Sequence, residues 1–110
     1  MNIAAKKEST AMIVTVSGRM DAVTAPEFEK SITEFIAKGE KSFLINLSGL
    51  EYISSAGLRS ILASAKRLKE LNGKLIFSGL QGHVKEVFSI SGFHGIFKIY
   101  ESDAEGLKDI

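Results

Sequence analysis

Residues 50–62 read Leu-Glu-Tyr-Ile-Ser-Ser-Ala-Gly-Leu-Arg-Ser-Ile-Leu, and they mark the point where a buried strand gives way to a helix. The adjacent hydroxyls of Ser54 and Ser55 stand at this junction. The first turn of a helix carries unpaired backbone N–H groups and a partial positive charge, so it can hold an added phosphate. The stretch therefore predicts a strand-to-helix turn that is suited to an anionic group.

Four short apolar runs and one more polar N-terminal segment predict five strands. The first is polar enough to be an edge strand, and a turn near Ser9 and Thr10 joins it to the second. The third is apolar throughout, as is typical of a strand that is covered on both faces. The predicted strands are residues 3–8, 12–17, 43–47, 74–78 and 96–100.

A helix is predicted between the second and third strands. Thr24 is the expected N-cap, Glu27 is its capping-box partner, and Pro26 stands in the first turn. Gly39 is the expected C-terminal stop. Apolar residues at helical spacing predict an inward stripe of Phe28, Ile32, Phe35 and Ile36.

Three further helices are predicted after the junction. The helix that follows Ser55 is expected to end at Asn72 and Gly73, and its apolar positions are Leu58, Ile61, Leu62, Ala65 and Leu68. The next helix stops before Gly92 and carries Val84, Val87 and Phe88. Ser102 is the expected cap of a short C-terminal helix.

This alternation of strands and helices predicts a mixed sheet that is parallel after its N-terminal hairpin. Loops that follow parallel strands gather at one edge of the sheet, where partners and ligands usually bind. These loops are predicted at residues 18–23, 48–55 and 79–82. Side chains that are far apart in sequence should meet there, namely Asp21, Ser54, Ser55 and Gln81.

The composition favours a single globular domain over residues 1–110, with 45% hydrophobic and 25% charged residues. A net charge of +1 gives no positive field on the scale that nucleic-acid binding needs. Cysteine is absent, which excludes disulfides, a thiol nucleophile and a thiolate metal site. No apolar run approaches the ~20 residues of a membrane span, and the N-terminus does not resemble a signal peptide. We therefore expect a cytoplasmic protein that does not bind membranes.

The common catalytic patterns are missing. His83 and His94 are eleven residues apart and have no Cys, Asp or Glu at metal-ligand spacing, so we expect surface or partly buried histidines. Gly49 and Gly57 lack the Lys-Ser/Thr ending of a P-loop. No Gly-x-Ser-x-Gly elbow surrounds the serine pair. We expect a protein that is not an enzyme and that needs no cofactor or metal.

Four segments together resemble the STAS domain of bacterial anti-sigma factor antagonists, and the likeness extends over nearly the whole chain. They are Gly18-Arg19-Met20-Asp21, Asn46-Leu47-Ser48, Ser55-Ala56-Gly57-Leu58 and Asn72-Gly73-Lys74-Leu75. The resemblance implies an α/β fold with a mixed sheet and with helices packed mainly on one face. It also implies a protein-binding switch in place of a catalyst.

In that family the serine before the Ala-Gly or Ser-Gly pair is phosphorylated by a partner kinase, and here this position is Ser55. The family's commonest pattern has Asp immediately before the acceptor, whereas this chain has Ser54. The departure leaves open whether Ser54 is modified instead of Ser55 or as well. Either serine could alternatively be a plain helix cap, for which serine is favoured.

The resemblance implies two partners, an anti-sigma factor with serine kinase activity and a serine phosphatase that restores the binding form. The implied partner-binding residues are Asp21, Ser54, Ser55, Gly57, Leu58, Arg59 and Gln81. Asp21 is alternatively a turn-forming Asx residue. The basic residues of the helix form either a solvated face or a contact with an acidic partner groove; they are Arg59, Lys66, Arg67 and Lys69. We expect the free chain to be a monomer.

Two other functions compete with this interpretation. One is a STAS regulator that switches partners in a process other than sigma-factor control, such as secretion or signalling. The other is a small nucleotide-binding module that uses the same loops and helix N-termini.

Overall fold

A sheet of five strands in the order β1-β2-β3-β4-β5 carries the fold. The computed structural model describes all 110 residues. The first two strands pair antiparallel and every later pair is parallel, as predicted. The strands are β1 Asn2–Glu8, β2 Ala11–Met20, β3 Ser42–Ile53, β4 Lys74–Ser78 and β5 Ile99–Tyr100.

Four α-helices cover the sheet, together with a 3-10 turn at Phe93–Gly95. They are α1 Ala25–Ala37, α2 Ser55–Glu70, α3 Gly82–Ile90 and α4 Asp103–Asp109. The first three share a large core with one face of the sheet, whereas α4 packs on the other face. The prediction that the helices pack mainly on one face is confirmed. None of the four is both long and apolar enough to cross a bilayer.

The first half of β3 is the best-buried part of the sheet. Phe43, Ile45 and Leu47 are fully buried in the core beneath the first three helices. Leu44 points to the opposite face, where it joins Ile13 and the residues of α4. Because successive side chains of a strand alternate between faces, a strand that is covered on both sides must be apolar throughout.

β2 and β3 continue beyond the end of β4, and this corrects the predicted loops at residues 18–23 and 48–55. Their pairing runs from Ser17 and Gly49 to Met20 and Ile53, with one register shift just before Ser17 and another between Gly18 and Arg19. We call these paired residues, 17–20 and 49–53, the β2–β3 extension. Alternation of polar and apolar residues did not reveal it because each shift breaks the two-residue period.

The predicted capping box at the start of α1 is wrong. Thr24 has helical backbone angles, and its side chain makes no cap hydrogen bond. Its hydroxyl instead donates to the Arg19 carbonyl (2.8 Å) and accepts from the Asp21 amide (2.9 Å). The turn before α1 is therefore closed by Asp21, whose carboxylate accepts from the amides of Val23 and Thr24 at 3.0 and 3.1 Å.

The predicted helix stops are confirmed at two places. Gly39 adopts a left-handed backbone with φ of +97° just after α1. At the end of α2, Asn72 takes that conformation (φ 58°), and Gly73 donates to the Leu68 carbonyl at 2.7 Å. Left-handed residues after a helix let the last carbonyls find amide partners.

The predicted inward stripe of α2 needs one correction. Leu62 is 40% exposed, whereas the small side chains of Ser60 and Ser64 are buried. Leu58 and Ala65 are only partly buried, and the buried apolar residues of the helix are Ile61 and Leu68.

The last strand is shorter than the predicted residues 96–100. The Ile96 and Phe97 amides both donate to the Phe93 carbonyl, at 3.0 and 2.9 Å, so the chain is still turning at the start of this segment. The Phe97 ring packs edge-on against Phe77 and Phe93, with centroids 5.1 and 5.4 Å away. These contacts leave only Ile99–Tyr100 in the sheet. The predicted cap is confirmed, since Ser102 accepts from the Glu105 amide at 3.3 Å.

Candidate functional site

The two serines of the junction have different environments. Ser54 is the N-cap of α2, with an extended backbone and a side chain that accepts a hydrogen bond from the Gly57 amide (3.3 Å). Ser55 is the first residue of the helix and is exposed, whereas Ser54 is half-buried. The cap is therefore assigned to Ser54, and Ser55 presents its hydroxyl to solvent.

Close packing fixes this junction against the end of β2. The Ser54 amide donates to the Met20 carbonyl at 2.9 Å. A Cβ on Gly57 would lie 2.7 Å from Ile53 Cγ1 and 3.0 Å from the Met20 carbonyl oxygen. Such contacts leave no room for a side chain at this position. Gly57 is thus required so that the first turn of α2 can approach the β2–β3 extension.

Asp21 lies directly beside this junction, because it follows Met20 in the chain. The pKa of its carboxyl is lowered from the ordinary value of 3.8 mainly by backbone hydrogen bonds from Thr24 and Val23, with a smaller contribution from the charge of Arg19. Its geometry is that of an Asx turn. Asp21 therefore orders the loop next to the serines, and it does so in its charged form.

Arg59 and Leu58 occupy different sides of the first turns of α2. Arg59 is exposed, and its position four residues after Ser55 puts both on the same side of the helix. Leu58 is partly buried against the large core. Arg59 is therefore a cation on the side of Ser55, one turn away along the helix.

Gln81 lies immediately before α3 and contacts β3. Its amide nitrogen donates to the Ser48 carbonyl at 2.7 Å. Ser48 precedes Ser54 by six residues of extended chain, or about 20 Å at the rise of a β-strand. Gln81 also shares a surface hollow with Gly49, Leu50 and Glu51, so it lies along the β2–β3 extension that leads to the serines; that it neighbours them stays a prediction.

A three-layer stack on the β2–β3 extension was not predicted. The Arg19 guanidinium lies 4.2 Å from the centroid of the Tyr52 ring, and Tyr52 stacks on the His83 ring with centroids 5.1 Å apart. The strand register pairs Arg19 with Tyr52. No local sequence pattern predicts such a stack, because its three residues belong to β2, β3 and α3. His83 and His94 are both exposed, which agrees with the expected surface histidines.

The Asn46-Leu47-Ser48 segment has a structural role. The Asn46 side chain donates to Asp103 at 3.0 Å and accepts from both the amide and the hydroxyl of Ser48 at 2.9 and 2.7 Å. Asp103 also accepts from the buried Ser78 hydroxyl at 2.6 Å. This network fastens the start of α4 to the ends of β3 and β4.

The profile of the STAS domain family matches residues 2–106. The chain belongs to the STAS domain family. It is also 37% identical over 102 residues to BtrV of Bordetella bronchiseptica, a protein provisionally named an anti-sigma factor antagonist. That alignment covers 93% of this chain and 88% of BtrV.

Solved structures share this STAS fold. A protein of Thermotoga maritima, also provisionally named an anti-sigma factor antagonist, superposes with a TM-score of 0.92 at 24% identity and covers 98% of this chain and 93% of its own. The anti-sigma factor antagonist SpoIIAA of Bacillus matches in its unphosphorylated form with a TM-score of 0.84 at 18% identity, covering 98% and 95% of the two chains. The phosphorylated form of SpoIIAA matches with a TM-score of 0.77 at 17% identity and covers 98% of each chain.

Proposed function

We propose that this protein is an anti-sigma factor antagonist whose partner binding is switched at Ser55. Unmodified, it binds an anti-sigma factor that is also a serine kinase; phosphorylation of Ser55 releases it. The observation that carries this proposal is that the two serines have different roles at the start of α2. Ser54 caps the helix, and Ser55 is exposed on its first turn.

The geometry favours Ser55 over Ser54 as the acceptor. A kinase must reach the hydroxyl oxygen and remove its proton, which requires an accessible side chain. Ser54 is half-buried, and its oxygen already accepts from the Gly57 amide. A phosphate on Ser55 would instead sit in solvent beside the N–H groups of the helix terminus, where a negative charge is favourable.

Release follows from charge and bulk without a change of fold. A phosphoserine carries about −1.5 to −2 charges at neutral pH, which turns the net charge of +1 slightly negative. An unpaired charge buried in an interface costs ~2–5 kcal/mol. This corresponds to a loss of affinity of about 30- to 4,000-fold, which is sufficient for an on/off signal.

The proposed docking surface surrounds Ser55. It contains the exposed Arg59, together with Ser54 and the loop that Asp21 orders. Gly57 and Leu58 contribute by shaping the first turn, since Gly57 is buried and Leu58 packs against the core. Gln81 completes the proposed surface at its edge, since it precedes α3, whose His83 stacks on Tyr52, two residues before Ser54.

The remaining parts of the proposal concern the cycle around this chain. A serine phosphatase would remove the phosphate and restore the binding form. The chain itself contributes an acceptor hydroxyl and a docking surface, and it needs neither a catalytic group nor a cofactor. We place the protein in the cytoplasm, because its target would be part of the transcription machinery. We also propose that it is a single domain and is monomeric when free.

Site mapping tests the proposed acceptor. The purified chain and its Ser54→Ala and Ser55→Ala variants are incubated with ATP and a lysate of the source organism, and phosphopeptides are mapped by mass spectrometry. We expect a single phosphate on the native chain and on Ser54→Ala, and none on Ser55→Ala. Phosphate on Ser54, or on neither serine, would contradict the assignment.

The unmodified chain, fixed to a support, is used to capture the kinase from the same lysate. The identity of the regulated process is then tested on this captured kinase. If the proposal is correct, the kinase that binds the unmodified chain also binds a sigma factor, and addition of the chain displaces that sigma factor. If the displaced protein is of another class, the chain is a partner-switching regulator of a process other than transcription. Direct binding of nucleotide to the isolated chain in equilibrium dialysis would favour the nucleotide-binding alternative.

A further inference from the structure

An open groove lies between the second half of α2 and the segment that precedes β5. It has a volume of about 470 Å³ and is lined mainly by apolar residues. Leu62 and Ile96 stand on its walls and are 40% and 60% exposed, while Leu75 and Phe97 are partly buried within it. We refer to this feature as the α2 groove.

We propose that the α2 groove docks an acidic amphipathic helix of a partner protein. In this mode of recognition the apolar side of a helix lies in a hydrophobic groove, and its flanking charges meet complementary charges on the rim. Two lysines, Lys66 and Lys69, are the only charged residues that line the α2 groove.

Charge complementarity selects an acidic occupant. Both lysines are exposed, and the only ion pairs of the protein join Lys6 to Glu8 and Lys7 to Glu40. The cations of the α2 groove are therefore unpaired within the chain, and no carboxylate lines the groove with them. A partner that carries Glu or Asp beside its apolar residues would satisfy both features, whereas a basic partner would be repelled.

The same charges argue against two other occupants. In a symmetric dimer both copies would bring the same groove into the interface, with four lysines and no carboxylate among its lining residues. A small ligand is usually enclosed over most of its surface. The exposed walls at Leu62 and Ile96 leave the α2 groove open along its length, which suits a segment that lies across it.

The α2 groove is separate from the proposed switch. Lys66 and Lys69 follow Ser55 by 11 and 14 residues, which is about 16 and 21 Å along a helix. A phosphate on Ser55 would thus lie more than a Debye length away at physiological ionic strength. The inference does not depend on the function proposed for Ser55, and the groove would hold its partner in both phosphorylation states.

A designed peptide tests the inference on the full chain. The probe is a helical peptide with leucines at positions i, i+3, i+4 and i+7 and with glutamates flanking that face; its control carries lysines in place of the glutamates. Binding is followed by fluorescence anisotropy and by backbone amide shifts in ¹⁵N-labelled protein. We expect saturable binding of the acidic peptide alone, with shifts centred on the residues of the α2 groove.

The following variants show whether the charges and the apolar wall act as proposed. Lys66→Glu combined with Lys69→Glu should weaken the peptide at least about tenfold, and Leu62→Asn should weaken it as well. Arg67→Glu is the control, because it reverses one charge on the same helix but outside the groove; we expect a change within about twofold, compared with Lys66→Glu and Lys69→Glu taken singly. Ser55→Asp should bind the peptide like the native chain. Thermal unfolding of each variant verifies that it is folded.

Several results would overturn the inference. One is that the acidic peptide does not bind even at millimolar concentration. Others are that the lysine control peptide binds equally well, or that the amide shifts are centred on the first turn of α2. Equal losses in the Arg67→Glu variant would reduce the effect to non-specific attraction. Self-association in sedimentation, abolished by Leu62→Asn, would identify a second copy of this chain as the occupant.

Discussion

The two halves of β3 serve different purposes. Residues 43–47 lie between β2 and β4 and are covered by helices on both faces. Residues 49–53 pair with β2 alone and lead directly into the Ser54–Ser55 junction. The first half supplies stability, and the second half extends beyond the end of β4 to present a loop.

The difference shows how a stable sheet can support an accessible site. Where a strand is covered on all sides, its side chains and backbone groups are all in contact with the rest of the fold. Where the sheet narrows to two strands, the side chains of Arg19 and Asp21 on β2 and its loop, and of Ser55 after β3, become available at one end. Binding residues are often found on such segments, held in place by a rigid scaffold.

The largest expected effect is a difference in the free energy of unfolding between substitutions in the two halves of β3. Phe43 is fully buried, so Phe43→Ala should lower the free energy of unfolding by about 3–5 kcal/mol. Tyr52→Ala, in the second half, removes a half-buried ring from the stack with Arg19 and His83 and should cost about 1 kcal/mol. Urea unfolding of both variants gives the comparison. Equal losses would contradict the assigned roles of the two halves.

The next effect concerns the approach of α2 to the β2–β3 extension. Gly57→Ala would place a Cβ 2.7 Å from Ile53 Cγ1, and overpacking of this kind costs about 1–3 kcal/mol. The better helix propensity of alanine returns up to about 1 kcal/mol, so a net loss of about 1–2 kcal/mol is expected. Gly95→Ala is the control, because a Cβ there meets nothing within 4 Å. A neutral Gly57→Ala in thermal unfolding would show that the contact relaxes freely.

A smaller effect distinguishes the two serines. Ser54→Ala removes the cap and should reduce the free energy of unfolding by about 1 kcal/mol. Ser55→Ala should change it by less than about 0.5 kcal/mol, since the side chain is exposed. Ser54→Asp should restore most of the stability because aspartate is also a good cap. If Ser55→Ala proved the more damaging variant, the assignment of the cap would be wrong.

The smallest effect is the pH dependence contributed by Asp21. Its pKa is lowered in the folded protein, so its stabilising contribution is fully present above the ordinary value of 3.8 and is lost as the pH falls through the lower folded pKa. At neutral pH the native chain should therefore have a higher melting temperature than the Asp21→Asn variant. The gap between the two melting temperatures should close in acid. Melting temperatures of the two proteins across that range provide the test. A gap that widens in acid would have the wrong sign.

The sequence predicted the parts of the molecule that depend on local patterns. The apolar run at 43–47, the strand Lys74–Ser78, the stop at Gly39 and the cap at Ser102 all follow from neighbouring residues. The choice of Ser54 as the cap could not be predicted, because both serines are good caps and only the backbone geometry distinguishes them.

Contacts between distant segments lay beyond prediction from the sequence. The β2–β3 extension depends on register shifts between two strands, and the stack of Arg19, Tyr52 and His83 depends on that register together with the position of α3. The hydrogen bond from Gln81 to the Ser48 carbonyl likewise joins distant segments, and no local pattern predicts it. Asp21 was recognised as a possible turn residue, but its replacement of Thr24 as the ordering group appears only in the structure.

The most direct test of the account is the affinity of the captured partner kinase for two forms of the full chain, one unmodified and one phosphorylated on Ser55. Both forms can be prepared from the Ser54→Ala background, so that only one hydroxyl of the pair is available. The account predicts that phosphorylation weakens binding by about 30-fold or more, with unchanged thermal stability of the chain. Equal affinity of the two forms would contradict the switch and would leave Ser55 as an exposed first residue of a helix.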